Sequence, residues 1–336
     1  MKYIVCETPG NLTLKTGEIP TPASDEVLVK IRRIGICGTD LHAFAGNQAF
    51  FNYPRILGHE LAGEIYNPNG HLEFTSGDKV AIIPYINCGS CVACRAGKTN
   101  CCASLKVLGV HIDGGMQEVI AISSRLLIAT PKLSWEEIAI IEPLCIAAHA
   151  VKRAQITQGQ RVLVMGCGPI GLAIMVFAKL QGAQIIAMDI NEQRLEVADT
   201  YFGTDHTLTP GPTAKDAINT LTDTDLCDVV LDATGNKTAL ESGVDYMAHG
   251  GKFLLVGLYK DFLSFHHPSL HAKEASILCS RNATKEDFLF VIETLSKKLF
   301  PTKAYVTHQV PFGQMIDDFS SWTDPANRVI KAMVSL

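Results

Sequence analysis

The segment QRVLVMGCGPIGLAIMVFAKL, residues 160–180, decides the fold. It begins with a β-like apolar run, passes through the glycine pattern GxGxxG and continues into an apolar, helix-like segment. Glycines in this context allow a tight turn and let a pyrophosphate approach the N-terminus of the helix closely, so the segment predicts a dinucleotide-binding unit. The residues predicted to form the cofactor turn are Gly166, Gly168, Pro169, Ile170 and Gly171.

Three later segments continue the alternation of strand-like and helix-like sequence. They are IIAMD at 185–189, DVVLDATG at 228–235 and GKFLLVGL at 251–258. This alternation predicts an α/β fold with a doubly wound parallel sheet, in which ligands lie at the carboxyl ends of the strands. The turns after the last two strands are candidates for holding the nicotinamide half of a cofactor, although they could equally be plain turns. Their candidate residues are Thr234, Val256, Gly257 and Leu258.

Asp189 ends the strand that follows the glycine turn. An acid there would accept hydrogen bonds from the adenosine ribose and repel a 2′-phosphate, which favours NAD over NADP. The alternative is that Asp189 is the N-cap of the next helix. Arg194, five residues further on, could stack near the adenine and weakens the preference for NAD.

The first third of the chain has a different pattern. Short β-like runs such as Glu26 to Ile31 and Lys79 to Ile83 lie between Gly- and Pro-rich turns and predict an irregular, β-rich domain. We expect this catalytic domain to comprise residues 1–145 and 277–336, the dinucleotide-binding domain to comprise 146–276, and the active site to lie in the cleft between them.

A helix is predicted near the junction of these domains. Ser134 with Glu137 three residues later forms a capping-box pattern. Pro143 should end or kink this helix at Glu142, because proline cannot donate a backbone hydrogen bond.

Four cysteines have the spacing of a structural zinc site. In CGSCVAC each pair of cysteines is separated by two residues, and another cysteine follows seven residues later. Thiolates at this spacing can converge on one tetrahedral Zn²⁺ and leave it no open position. A redox CxxC pair is the alternative, and Cys101 competes with its neighbour as the fourth ligand. The predicted ligands are Cys88, Cys91, Cys94 and Cys102.

A second set of possible ligands comprises Cys37 in GICGTDLH, His59 and Glu60 in GHELAG, and Glu142 in EPL. A thiolate, an imidazole and one or two carboxylates could leave zinc a position for water or an alcohol oxygen. Singly, a buried Cys is usually a small apolar residue and a His is usually just hydrogen-bonded. Together they predict a catalytic zinc that acts as a Lewis acid on an alcohol.

Two polar residues after Cys37 could remove the proton of that alcohol. The hydroxyl of Thr39 would pass it on, and His42 would be the next member of a relay to solvent. The alternative is that Thr39 and His42 merely cap the following helix.

The composition excludes some partners. A net charge of −5 and a pI of about 6.1 give no basic surface for nucleic acid. The N-terminus lacks the apolar region of a secretory signal, and no apolar run approaches the roughly 18 residues that span a bilayer. We expect a cytoplasmic protein without membrane contact, whose eleven cysteines are reduced or metal-bound.

The motifs GICGTDLH, GHELAGEI, CxxCxxCx7C and GCGPIG occur in the order typical of the medium-chain dehydrogenase/reductase family, and the chain resembles that family over essentially its full length. The resemblance implies a GroES-like catalytic domain, a Rossmann domain, two zinc ions per chain, NAD, and a homodimer or homotetramer. Family spacing selects Cys102 as the fourth structural ligand. The EPL segment resembles the sorbitol dehydrogenase branch, which implies Cys37, His59, Glu60 and Glu142 as the catalytic zinc environment without deciding which glutamate binds.

Other segments resemble bacterial sugar-acid dehydrogenases of the L-galactonate 5-dehydrogenase type: GNQAFFNYPRILGHE, GVHIDGG and KEASILCSRNAT. Such enzymes oxidise the C5 hydroxyl of a six-carbon aldonate. Arg281 would then anchor the substrate carboxylate, with a domain-edge ion pair as its alternative role. Sorbitol, a polyol phosphate and L-threonine are alternative substrates, and a catalytically silent binding or sensor protein is the alternative class. Further cleft residues implied by the resemblance are Asn47, Phe50, Phe51 and His111.

Overall fold

The computed structural model describes residues 1–48 and 51–336. It divides into two compact units, one of residues Met1–Pro143 with Thr284–Leu336 and one of residues Leu144–Ala283. The strands are β1 Lys2–Thr8, β2 Asn11–Thr16, β3 Glu26–Gly35, β4 Glu60–Asn67, β5 Lys79–Ile82, β6 Tyr85–Ile86, β7 Lys106–Val107, β8 Val119–Ser123, β9 Leu127–Ala129, β10 Arg161–Met165, β11 Gln184–Met188, β12 His206–Leu208, β13 Cys227–Asp232, β14 Met247–Leu255, β15 Ser276–Cys279, β16 Val306–Pro311 and β17 Lys331–Ser335.

The α-helices are α1 Gly38–Phe44, α2 Val92–Arg95, α3 Trp135–Ala139, α4 Ile141–Ala154, α5 Pro169–Leu180, α6 Glu192–Tyr201, α7 Ala214–Leu221, α8 Lys237–Ser242, α9 His267–Ala272, α10 Lys285–Ser296, α11 Thr302–Tyr305 and α12 Met315–Asp318. Within the described residues, no helix is both long enough and apolar enough to cross a membrane.

The second unit is built on a parallel sheet of six strands. Their order is β12-β11-β10-β13-β14-β15, so β10 lies at the centre with β11 on one side and β13 on the other. Continuous apolar strands such as β10 suit this position, because helices cover both faces of a doubly wound sheet. Leu163, Ile186, Val230 and Phe253 are buried in one apolar cluster of this unit. The doubly wound parallel sheet predicted from the glycine turn and its following segments is confirmed.

The first unit contains a seven-stranded sheet whose main path is β16-β17-β3-β4-β5-β9, with β8 also paired to β3. The long strand β3 pairs antiparallel with β4, β8 and β17, so it ties the C-terminal strand to the N-terminal half of the chain. Two further two-stranded sheets, β1-β2 and β6-β7, complete this β-rich unit.

The helix that the sequence predicts after Ser134 is two helices in the structure, and neither of them ends at Glu142. Ser134 and Glu137 form the capping box at the start of α3, but that helix ends at Ala139. Pro143 neither ends nor kinks a helix at Glu142, because it lies in the first turn of α4, which continues to Ala154. A proline in a first turn removes no intrahelical hydrogen bond.

The boundary at which the chain returns from the second unit to the first lies later than expected. The expected division between residues 276 and 277 would cut β15. That strand pairs in parallel with β14 and therefore belongs to the six-stranded sheet. The structure places the boundary after Ala283.

Candidate active site and cofactor turn

The four cysteines predicted to bind the structural zinc, which we call the clip, converge in the first unit. Their Sγ atoms lie within 4.8 Å of one another in the group Cys88, Cys91, Cys94 and Cys102. Cys91 is the N-cap of α2, and the backbone N–H groups of Ser90 and Cys91 lower the pKa of the Cys88 thiol to about 6. Cys101 is exposed and lies outside the group. Four convergent sulfurs with donors that favour the thiolate suit a closed tetrahedral zinc site.

The second group of ligands lies where β3 ends and β4 begins. Cys37 precedes α1, and His59 precedes Glu60, the first residue of β4. The register pairs Gly35 with Glu60, which brings the two segments side by side. As a result, one sulfur, one ring nitrogen and one carboxylate oxygen from Cys37, His59 and Glu60 lie within 4.8 Å of one another.

Gly35 is required by this packing. A Cβ atom at Gly35 would lie 2.2 Å from Oε2 of Glu60, so any larger residue would displace the carboxylate. No pattern in the sequence singled out this glycine of the IGICGTD segment.

Asp40 contacts the segments that carry Cys37 and His59, and the sequence analysis did not select it. Its carboxylate accepts hydrogen bonds from the backbone N–H groups of Cys37 at 3.0 Å and Gly58 at 3.2 Å. Its Oδ1 also lies 3.7 Å from Nδ1 of His59. Although burial opposes a charge on the ring, the negative charges of Asp40 and Cys37 raise the pKa of His59 well above its usual value. The capping-box spacing from Cys37 to Asp40 was the available signal.

The two glutamates have different partners. Both carboxylate oxygens of Glu60 accept hydrogen bonds from Nζ of Lys331, at 2.6 and 2.8 Å. Glu142 lies in the first turn of α4, where its Oε1 accepts a hydrogen bond from the hydroxyl of Tyr85. Burial raises the pKa of Glu142, with the charge of Glu60 acting in the same direction. Neither Lys331 nor Tyr85 was selected from the sequence.

The residues around Cys37 fit a zinc ion. A thiolate, an imidazole and a carboxylate are the donor types of catalytic zinc sites. Nδ1 of His59 is buried and has no hydrogen-bond partner among the described residues, because Asp40 is beyond hydrogen-bond distance. Glu142 lies outside the close group but interacts electrostatically with His59 and Glu60. This arrangement would attract a cation.

Thr39 and His42 lie inside α1, so neither caps it. The helix begins at Gly38, and Cys37 with Asp40 forms its capping box. Thr39 is half-buried, whereas His42 is exposed with its Nδ1 3.0 Å from Oδ1 of Asn47. The capping alternative for Thr39 and His42 is therefore wrong. Residues three apart on a helix share a face, so the relay remains a prediction that this placement allows.

The glycine turn lies between β10 and α5 in the second unit, and Pro169 and Ile170 are the first two residues of that helix. Gly166 has a φ of +95°, which favours glycine. A Cβ atom at Gly171 would lie 1.7 Å from the carbonyl oxygen of Gly166, so only glycine fits there. Gly168 is the N-cap of α5 and lies near a guanidinium nitrogen of Arg194. The turn leaves the N-terminus of α5 accessible to an anion.

Asp189 contacts this turn directly. Its Oδ2 accepts a hydrogen bond from the N–H of Cys167 at 2.6 Å, and its Oδ1 accepts one from Asn191 at 2.8 Å. The N-cap of α6 is Asn191, so the alternative that Asp189 caps the helix is wrong. Asp189 therefore links the end of β11 to the glycine turn.

The turns after β13 and β14 are organised by Asp232, a buried carboxylate that the sequence analysis did not select. Asp232 accepts hydrogen bonds from the hydroxyl of Thr234 at 2.7 Å and from the N–H of Gly235 at 3.0 Å. A Cβ atom at Gly257 would lie 2.2 Å from the nitrogen of Gly235. The two turns therefore pack so closely that no side chain fits at Gly257. Val256 and Leu258 flank this contact, and Leu258 is exposed.

The candidate substrate residues belong to both units, Phe51 and His111 to the first and Arg281 to the second. Phe51 packs against Tyr53 with ring centroids 4.7 Å apart, and His111 accepts a hydrogen bond from the N–H of Val107. Arg281 is exposed and follows β15 in the second unit. Phe50 lies outside the described residues. The roles of Phe51, His111 and Arg281 in binding a substrate remain predictions.

A Rossmann unit with a glycine turn, together with a β-rich unit carrying a cysteine clip and a Cys-His-Glu cluster, defines a zinc-containing dinucleotide oxidoreductase. Two family models match the chain: the alcohol dehydrogenase GroES-like domain over residues 23–132 and the zinc-binding dehydrogenase model over residues 169–297. The chain belongs to the family of zinc-containing, medium-chain alcohol dehydrogenases, and its cofactors are zinc and a nicotinamide dinucleotide.

Individual relatives cover the whole chain. It is 39% identical to the L-galactonate-5-dehydrogenase of Escherichia coli K12, over 100% of this chain and 99% of the relative. It is 33% identical to the sorbitol dehydrogenase of Bacillus subtilis, over 99% and 97%. The crystal structure of the alcohol dehydrogenase RspB from E. coli CFT073, complexed with NADH, has a TM-score of 0.94, 31% identity and coverage of 100% and 99%.

Proposed function

We propose that this enzyme oxidises the C5 hydroxyl of a six-carbon aldonate, such as L-galactonate or L-gulonate, to a ketone while reducing NAD⁺. The observation that carries the proposal is the 39% identity, over essentially both full lengths, to an L-galactonate-5-dehydrogenase. The Cys-His-Glu cluster and the glycine turn supply the two cofactor sites that such a reaction needs. A catalytically silent sensor would not need both.

Cys37 and His59, with Glu60 or Glu142, would hold the catalytic zinc, and the clip would hold a structural one. When bound, the catalytic zinc supplies a Lewis acid that lowers the pKa of the substrate hydroxyl. Asp40 orients this cluster through its bonds to Cys37 and Gly58. Lys331 neutralises Glu60 and holds both of its oxygens. Glu142 has only one oxygen bonded to Tyr85, which favours it as the more adaptable carboxylate.

Thr39 and His42 would remove the hydroxyl proton. Thr39 is half-buried directly after the cluster, and the exposed ring of His42 lies one helical turn away on the same face of α1. A proton accepted by the Thr39 hydroxyl would pass to His42 and then to solvent. Asn47 holds the ring through Nδ1 and so leaves Nε2 for the exchange.

Arg281 would distinguish an acid substrate from a neutral polyol. Its planar guanidinium can form two parallel hydrogen bonds with a carboxylate, a geometry that lysine does not reproduce. We expect Arg281→Lys to raise KM for a hexonate by about tenfold or more, which corresponds to about 1.4 kcal/mol of binding. The same substitution should leave KM for the matching hexitol nearly unchanged.

One feature, the charge of Asp189, supports NAD rather than NADP as the cofactor. Asp189 places a negative charge beside the glycine turn, where it would repel a 2′-phosphate. Arg194 lies near the same turn and opposes this preference in part.

We also propose that the enzyme is a homodimer or homotetramer in the cytoplasm, where the clip thiols remain reduced. Sedimentation of the purified protein would measure the oligomeric state.

A substrate panel on zinc-replete protein tests the proposal. Hexonates, sorbitol, a hexitol phosphate and L-threonine would each be supplied with NAD⁺ and with NADP⁺, and the absorbance of the reduced cofactor followed. Sorbitol is the main competitor because of the sorbitol dehydrogenase relative. Turnover of hexonates with NAD⁺ supports the proposal. Turnover of neutral polyols alone would contradict it and indicate a dehydrogenase of the sorbitol type.

A further inference from the structure

The short helix α9 carries two histidines that neither zinc site uses. His267 is its first residue and His271 its fifth, so they lie one helical turn apart on the same face. Their ring centroids are 6.0 Å apart, and the ring planes meet at 61°. Both side chains are exposed.

The other histidines near α9 have different partners. Nδ1 of His266 lies 2.7 Å from the hydroxyl of Ser269, and Nδ1 of His249 lies 3.1 Å from the carbonyl oxygen of Ala272. Neither residue shares the four-residue spacing within the helix. His267 and His271 are therefore the pair of histidines whose rings lie beside each other, edge to face.

Two imidazoles at this helical spacing can bind one transition-metal ion, because rings four residues apart can point at a common position. Imidazole nitrogen suits Zn²⁺, Cu²⁺ and Ni²⁺, whereas Mg²⁺ and Ca²⁺ prefer oxygen ligands. The ammonium of the nearby Lys273 donates its hydrogen bonds to the carbonyl oxygens of Val244 and Met247, and not to the histidine rings.

We propose that His267 and His271 form a third metal site, which takes a transition-metal ion with water as the remaining ligands. In the described part of the chain, the clusters of three or more metal-binding side chains are the clip and the Cys37 group, so this site is a two-ligand site of lower affinity. It lies in the dinucleotide-binding unit and is open to exchange with solvent.

Metal binding would also stabilise α9. A helix of six residues is marginal by itself, because nucleation fixes several backbone angles for few hydrogen bonds. An ion bound to the first and fifth residues links the two ends of the helix. The backbone N–H groups of residues 269–272 should then exchange with solvent more slowly.

Equilibrium dialysis of the zinc-replete enzyme against NiCl₂ tests the site, with zinc content measured in parallel to exclude displacement from the other sites. The parent should bind one Ni²⁺ per chain beyond its zinc. His267→Gln and His271→Gln should each weaken this binding by roughly 10–100-fold, since even the loss of an outer-shell partner has an effect of that size. His266→Gln is the matched control and should bind as the parent does.

Hydrogen exchange supplies the second readout. Added Ni²⁺ should slow exchange of the N–H groups of residues 269–272 in the parent and in His266→Gln, but not in His267→Gln. Equal Ni²⁺ binding by the parent and the His267→Gln, His271→Gln double variant would overturn the proposal. So would an equal loss of binding in His266→Gln, or unchanged exchange in α9 of the nickel-bound parent.

Discussion

Replacing Lys331 with methionine should destabilise the first unit strongly. Lys331 is 2% exposed and Glu60 0% exposed, and Nζ of Lys331 contacts both carboxylate oxygens as well as the carbonyl oxygen of Ile36. Although burial opposes its charge, the attraction of Glu60 and Cys37 raises the pKa of Lys331, so the ammonium remains charged. Methionine nearly preserves the volume but leaves the Glu60 carboxylate buried without its cation. Removing one partner of such a pair costs about 3–5 kcal/mol.

Urea unfolding followed by tryptophan fluorescence measures this loss. Both tryptophans, Trp135 and Trp322, belong to the first unit, so the signal reports that unit. The double variant Glu60→Gln, Lys331→Met should recover most of the lost stability, because it removes the uncompensated charge.

Lys297→Met provides a matched control. Nζ of Lys297 lies at the same distance, 2.6 Å, from Glu293, but both side chains are exposed. An exposed pair of this kind contributes little, so the urea midpoint should not move. Equal midpoints for Lys331→Met and Lys297→Met would refute the argument, as would a double variant no more stable than Lys331→Met alone.

Three further predictions concern the second unit. Gly171→Ala should abolish NADH binding measured by fluorescence, because its Cβ would lie 1.7 Å from a carbonyl oxygen, whereas Gly211→Ala has open space and should bind normally. Asp232→Ala should lose about 1–3 kcal/mol in unfolding followed by circular dichroism, because the N–H groups of Thr234 and Gly235 would lose their acceptor; unchanged stability would contradict its role in holding the two turns. Burial raises the pKa of Cys227 to about 12, so below that pH iodoacetamide should label the exposed Cys279 and spare Cys227, as mass spectrometry would show.

Local patterns predicted much of the fold. The glycine turn and the strands that follow it predicted the parallel sheet, since strand, turn and helix are adjacent in sequence there. The clip was predictable for the same reason, because its four cysteines lie within one short loop segment.

The supporting residues of the cluster were not predictable, because they depend on distant strand pairing. Lys331 is 271 positions from Glu60 and reaches it only because β17 and β4 both pair with β3. Tyr85 is 57 positions from Glu142. Pro143 was misinterpreted because its effect depends on where a helix begins: the same residue that breaks a helix interior is accommodated in a first turn.

Zinc content and turnover, measured on the same samples, test most directly the claim that the cluster at Cys37 performs the chemistry and the clip does not. The parent should contain two zinc ions per chain and reduce NAD⁺ with a hexonate. Cys37→Ser should retain the clip zinc, lose the other and lose turnover. Full activity in protein that holds one zinc, bound by the clip, would contradict the account.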